Sequence, residues 1–297
     1  MAAPITLSRR SSFAWIVVAY GCALTVAATA AVAMGPESPA WQRVAVADLL
    51  GTLTIFGFSF ALDNSSVYDP YWSVAPVVVA GGMLVAADGP PSPRAALAFC
   101  VVLLWGARLT WNWARGWGGM AHEDWRYVDL RRRTGRLYWL VSLFGLHLFP
   151  TGLVLLGCLP LIHAIGQEGR PLGLLDAAAL ALALGGAALE AVADEQLRRF
   201  RARGVEGETL ASGLWAHSRH PNYLGEITFW WGIALFGAAA LGVSAAGFVG
   251  AAAVHLLFVF VSVPMLDRRS ISRRPGYAEH AKKVPGIFPR PWRTRYD

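Results

Sequence analysis

The residues best suited to chemistry sit in one short stretch, Trp215-Ala216-His217-Ser218-Arg219-His220-Pro221-Asn222-Tyr223-Leu224-Gly225-Glu226. Pro221 suits the first turn of a helix, which leaves the backbone amides after it pointing out of an open N-terminus. That end has positive dipole character, and Arg219 and His220 stand beside it. The combination is a natural seat for a phosphate or a carboxylate. Asn222, Glu226 and Trp230 then recur every four residues along one face. A carboxylate one turn into a membrane helix costs at least ~2.5 kcal/mol on insertion scales. Glu226 therefore calls for a ligand or a cationic partner, with a paired structural carboxylate as the competing reading. His217 and His220 lack a third ligand at zinc spacing, so no metal is expected.

Four other stretches could contribute. In Asp63-Asn64-Ser65-Ser66-Val67-Tyr68-Asp69-Pro70-Tyr71-Trp72, two acids stand in otherwise basic surroundings. Pro70 fits the first turn of a helix with Asp69 as its N-cap. The chemical reading makes Tyr68 and Asp69 proton donors or substrate anchors lining a cavity. Arg108, Trp111, Asn112 and Arg115 fall at i, i+3, i+4 and i+7, one helical face. Snorkelling explains Arg115 alone, whereas the whole stripe suits an anionic ligand. The loop His122-Glu123-Asp124-Trp125-Arg126-Tyr127 reads as solvated, with an internal pair such as Asp124 and an arginine. Asp194, Arg198 and Arg201 share a face of a helix that runs on past the membrane, with Gly204 as its C-cap. Its plainer reading is a basic juxtamembrane helix drawn to anionic lipid.

Long apolar helices must position these groups. The chain has 297 residues, 55% hydrophobic and 15% charged. Soluble domains carry roughly 25% charged residues, so an ordinary soluble enzyme is excluded. A hydrocarbon core of about 30 Å takes roughly 20 apolar residues of helix. Runs of that kind lie near Phe13–Met34, Val44–Leu62, Tyr71–Ala87, Arg94–Ala114, Leu137–Ile165, Leu172–Ala193, Leu224–Ala240 and Val243–Leu266. Backbone groups in lipid must be satisfied within each segment, which makes these helices. The expected fold is an all-α polytopic bundle of seven to eight transmembrane helices, because the last two runs could form a hairpin or one broken helix. The arginine-rich segments alternate with short, nearly neutral loops. With eight spans all basic segments share one side, and the positive-inside rule puts both termini in the cytoplasm. The net charge of +7 then meets anionic lipid, and no nucleic-acid partner is implied. Cys22, Cys100 and Cys158 each lie in an apolar run and read as buried thiols. The chain reads as one membrane domain over residues 1–297, with the first two spans at 13–62. No P-loop or Gly-rich dinucleotide turn after a strand is present. Any cofactor must be held by helix ends and polar helix faces.

His220-Pro221-Asn222-Tyr223-Leu224-Gly225-Glu226, with Asp194 through Gly204 upstream, resembles the steroid 5-alpha-reductase-like family of membrane reductases. The similarity is closest to that family's bacterial branch. Asn64 through Trp72, Arg108 through Asn112 and Glu123 through Tyr127 are similar to it as well, so the resemblance spans about Asp63 to Pro289, residues 63–297 forming a family-like core. It implies NADPH-dependent reduction of a carbon–carbon double bond conjugated to a carbonyl in a lipidic small molecule. Asp194, Arg201, Asn222 and Glu226 match cofactor-contacting positions. Asn112, Arg115 and Tyr223 match more weakly, and Arg219 joins them from its place beside Pro221. Family steroid reductases pair a carboxylate on an early helix with a tyrosine. The tyrosine position here is Trp105, which leaves Tyr68 and Asp69 as the catalytic candidates. A bacterial inner membrane with the cofactor site on the cytoplasmic face is the implied setting. The Arg-His-Pro-x-Tyr-x-Gly part alone is also similar to isoprenylcysteine methyltransferases. A membrane methyltransferase using S-adenosylmethionine is therefore the alternative.

Overall fold

A computed structural model describes residues 7–87, 89–166, 171–204 and 206–289. Arg290, Arg293 and Arg295 of the basic tail lie outside the described residues. Among the described residues all regular structure is helical, and eight helices are long and apolar enough to cross a membrane. The chain is therefore a multi-pass integral membrane protein. Large apolar side chains face outward, among them Val85 at 89%, Leu174 at 90% and Phe260 at 70% exposure. Patches of that kind need an apolar cover, which here is lipid.

The chain divides into two compact units, Met1–Gln167 and Glu168–Asp297. The first contains α1 (Arg9–Ala33), α2 (Ala40–Ala61), α3 (Tyr71–Ala86), α4 (Pro93–Gly116), α5 (Trp125–Thr134), α6 (Tyr138–Val141) and α7 (Phe149–Gly166). A 3₁₀ turn, Ser65–Tyr68, links α2 to α3, and a π-helical stretch, Ser142–Leu148, joins α6 to α7. Helices α1 and α4 start at serine caps, Ser8 and Ser92. α5 begins at Asp124, whose carboxylate accepts from the Arg126 amide. Helix α3 departs from expectation. Its N-cap is Pro70, and Asp69 has helical φ and ψ at the end of the 3₁₀ turn. The capping carboxyl is needed elsewhere, as shown below.

The second unit contains α8 (Leu174–Arg201), α9 (Pro221–Leu241), α10 (Val249–Leu257), α11 (Val263–Arg273) and α12 (Tyr277–Lys283). A π-helical stretch, Phe258–Ser262, merges α10 into α11. The last two apolar runs are separate helices, not one broken helix. Gly242, at φ +99°, turns the chain between them. Helix α8 ends at Arg201 with Ala202 as its C-cap, so Gly204, in the left-handed region, lies two residues past the cap. Helices α8 and α9 meet backbone to backbone. A Cβ on Gly186 would lie 2.5 Å from the Phe229 nitrogen, and one on Gly232 would lie 2.6 Å from the Ala183 nitrogen. Lipid supplies no hydrophobic drive between helices, so small residues that permit close dispersion contact hold such pairs. Of the cysteines, Cys158 is buried, but Cys22 and Cys100 are exposed on the outer helix surfaces. An apolar run in a bilayer has a lipid-facing side, and those two thiols lie on it.

Candidate functional site

In the second unit, Pro221 takes the first turn of α9 after the His220 N-cap. Because α8 and α9 touch at Gly186 and Gly225, the start of α9 lies against the last turns of α8. Asn222 Nδ2 thereby donates to Asp194 Oδ1 at 3.3 Å. The other end of that amide, Asn222 Oδ1, is buried and has no hydrogen-bond partner among the described residues. One turn on, Glu226 is 3% exposed and accepts from Trp230 Nε1 at 3.0 Å. The expected Asn222/Glu226/Trp230 stripe is thus an inward face. Tyr223 lies between two rings, His220 at 5.5 Å and Phe258 at 4.4 Å. Arg201 is exposed at the end of α8, where it feels the like charge of Arg274 and the opposite charge of Asp194. Arg198, expected on that face, pairs with Glu195 at 2.6 Å.

Arg219 is engaged by the C-terminal segment. Its Nη2 lies 2.6 Å from Asp267 Oδ2, and its Nη1 donates to the carbonyls of Ala281 and Val284. Asp267 Oδ1 also meets His220 Nε2 at 3.0 Å and accepts from the Tyr277 hydroxyl at 2.6 Å. Burial first, then the bond to Asp267, pushes the Tyr277 phenol above its ordinary range. The backbone amides of Arg219 and His220 donate to Pro285 and Gly286. Asp267 is thus the hub of a latch that fixes the chain entering α9. Removing one partner of a buried pair strands the other charges. Asp267→Asn is expected to destabilise the second unit by about 3 kcal/mol, seen as a lower Tm and faster proteolysis after α11.

The first unit gathers a second polar cluster. The His122–Tyr127 loop, expected to be solvated, docks onto Asn64–Asp69 instead. Asn64 Nδ2 donates to the Met120 and His122 carbonyls at 2.9 and 3.1 Å. Glu123 accepts from the Ser65 amide at 2.8 Å, and Ser66 Oγ accepts from the Asp124 amide at 2.9 Å. Asp69, freed from capping, accepts from the Tyr127 hydroxyl at 2.6 Å. The expected pair of Asp124 with an arginine is present, to Arg126 at 2.8 Å. Tyr68 is 4% exposed, and its hydroxyl lies 2.8 Å from Thr151 Oγ1.

Sequence reasoning missed Asp48 and His147. Asp48 is a lone acid inside the apolar α2, 6% exposed, and accepts from the Tyr71 hydroxyl at 2.7 Å. The Tyr71 ring stacks on Tyr68 at 5.2 Å. His147, fully buried in the π-helical stretch, contacts Ser59 Oγ at 3.1 Å and lies 4.8 Å from the Tyr68 ring. Single-turn π segments often mark functional sites, but neither the widened turn nor the Tyr71 partner leaves a spacing signal. Asn112 and Arg115 also lie in this unit. Arg115 folds back on Asn112 Oδ1 at 2.9 Å.

Two comparisons with known proteins bear on this arrangement. An uncharacterized protein of Schizosaccharomyces pombe is 30% identical over 82% of this chain and 77% of its own length. No solved structure matches the chain. The model of a family described as a protein of unknown function, DUF1295, matches residues 55–284, which take in Asn64–Asp69, the His122–Tyr127 loop, Asp194, Asn222, Glu226 and Asp267, but not Asp48. The chain belongs to the DUF1295 family of membrane proteins.

Proposed function

We propose that this protein is a membrane reductase that uses NADPH to reduce a carbon–carbon double bond conjugated to a carbonyl in a lipidic substrate. The observation that carries the reading is Asn222. Its Nδ2 is held by Asp194 while its buried Oδ1 has no donor among the described residues. An unsatisfied buried acceptor costs about 1–3 kcal/mol. A primary carboxamide supplies the missing N–H, and the nicotinamide of NADPH carries one. The resemblance to steroid 5-alpha-reductase-like enzymes at Asp194, Arg201, Asn222 and Glu226 points the same way.

When bound, NADPH supplies the hydride that goes to the beta carbon of the enone. Asn222 and Glu226 hold the carboxamide and fix which ring face is presented. Arg201, repelled by Arg274, gains from a phosphate between like charges. Tyr223 adds an aromatic wall. Arg219 acts through Asp267, keeping the α9 entry in place. Asn112 and Arg115 match cofactor positions of the resemblance more weakly, and Arg115 donates to Asn112 Oδ1 at 2.9 Å. The first unit holds groups suited to the proton step. The tyrosine position of the resemblance is Trp105 here, but Asp48 and Tyr71 form a carboxylate–tyrosine pair of this chain's own at 2.7 Å. A phenol donating to a carboxylate holds a proton ready for the carbonyl oxygen. Tyr68 packs the Tyr71 ring, and Asp69 orients Tyr127. The basic segments support a cytoplasmic cofactor site, in a bacterial inner membrane on the resemblance. The alternative methyltransferase shares Arg219 through Gly225. Titration of purified protein with NADPH and with S-adenosylmethionine separates the two, and NADPH alone is expected to raise the Tm.

A further inference from the structure

The first unit carries a groove that the reductase reading does not use. Between α3 and α4 runs an apolar slot of about 400 Å³, walled by Val74, Val77, Val78, Leu103, Ala107 and Trp111. Its lining on α4 extends from Leu103 to Ala114, about 16 Å at ~1.5 Å per residue. That is about one leaflet of a ~30 Å hydrocarbon core. The two helices are pinned beside it at Gly106, where a Cβ would come within 2.6 Å of the Ser73 carbonyl oxygen. The slot's hydroxyls, Ser73 and Thr110, bond to each other at 2.8 Å, so its wall asks for no polar ligand.

Past the shared residues Trp111 and Ala114, the slot runs into a hollow of about 690 Å³ lined by Arg9, Arg10, Phe13 and Arg115. Among the described residues no carboxylate lines either space. Arg9 fixes this mouth, its Nε and Nη2 donating to the carbonyls of Trp117 and Ala114 at 3.0 and 2.9 Å. Trp111 is 66% exposed at the junction. Tryptophan settles where apolar core gives way to headgroups, which places the arginines at headgroup depth.

A leaflet-long apolar slot opening onto three guanidinium groups is complementary to one kind of molecule. We infer that this groove binds an anionic phospholipid of the surrounding bilayer, with an acyl chain between α3 and α4 and its phosphate at Arg10 and Arg115. Guanidinium forks suit phosphate oxygens, and basic pockets between membrane helices hold anionic headgroups.

The test uses the full chain in detergent, with phosphatidylglycerol or phosphatidylcholine added, and reads Tm and, by native mass spectrometry, bound lipid. Phosphatidylglycerol is expected to raise Tm more than phosphatidylcholine and to remain as one bound molecule. The excess should fade at high salt, as screening requires, and disappear in Arg10→Gln, an exposed position whose change leaves the fold intact. Ala107→Phe fills the slot and should abolish retention; if that variant does not fold, Arg10→Gln still decides. Equal shifts from both lipids overturn the inference. So does a phosphatidylglycerol shift unchanged in Arg10→Gln, or one that inorganic phosphate alone reproduces.

Discussion

Tyr71→Phe is expected to lower the rate of NADPH oxidation with an enone lipid by about 10²–10⁴-fold, the usual contribution of a positioned acid. The variant removes the hydroxyl that donates to Asp48 at 2.7 Å and keeps the ring that stacks on Tyr68. Its fold should survive with a loss of about 1–3 kcal/mol, because Asp48 stays buried without that donor. NADPH affinity should stay within about threefold, because Tyr71 is not among the residues proposed to hold NADPH. Asp48→Asn is expected to match Tyr71→Phe in rate, since an amide cannot share the phenol's proton. Tyr68→Phe loses only a bond to Thr151 and should cost less than tenfold, roughly one hydrogen bond. Steady-state kinetics on the four proteins checks this. Equal losses at Tyr68 and Tyr71 would move the proton source away from Asp48.

The second large effect is structural. Gly225→Ala adds one Cβ that would sit 2.6 Å from the Gly186 carbonyl oxygen and 2.7 Å from the Glu190 nitrogen. Both are backbone atoms, so α8 and α9 must part. Overpacking of this kind costs about 1–3 kcal/mol, more than the ~1 kcal/mol that alanine returns in helix propensity. The parting also separates Asn222 from Asp194, so NADPH affinity should fall with Tm. Gly185→Ala is the control. It lies on the same helix as Gly186, but a Cβ there meets nothing within 4 Å. Its Tm should hold or rise. A Gly225→Ala protein as stable as Gly185→Ala would contradict the close packing.

Much of the fold was legible because membrane helices are written in local composition. Eight apolar runs became eight candidate spans, and Pro221 became the first turn of α9. Glu226 stood out as a charge that lipid would not tolerate, and the structure buries it against Trp230 one turn away. What escaped were partners distant in the chain. Asp69 looked like a cap because a cap is a local event; its hydrogen-bond donor, Tyr127, is 58 residues on. Arg219 looked free for a ligand because Asp267 lies 48 residues away. Asp48 was passed over because one acid does not break the hydropathy of α2. Glu123 and Arg126 read as solvent-facing charge, since a loop's composition carries no mark of the surface it docks on.

The most direct measurement is the dissociation constant of NADPH for the wild-type protein and for the double variant Asn222→Ala/Glu226→Ala. Two lost hydrogen bonds, one of them charged, are worth about 3 kcal/mol, which is about a hundredfold in affinity. Micromolar-range or tighter NADPH binding is expected to weaken by about that factor, with S-adenosylmethionine binding neither protein. Unchanged NADPH affinity in the double variant, or S-adenosylmethionine saturating the wild type while NADPH does not, would contradict it.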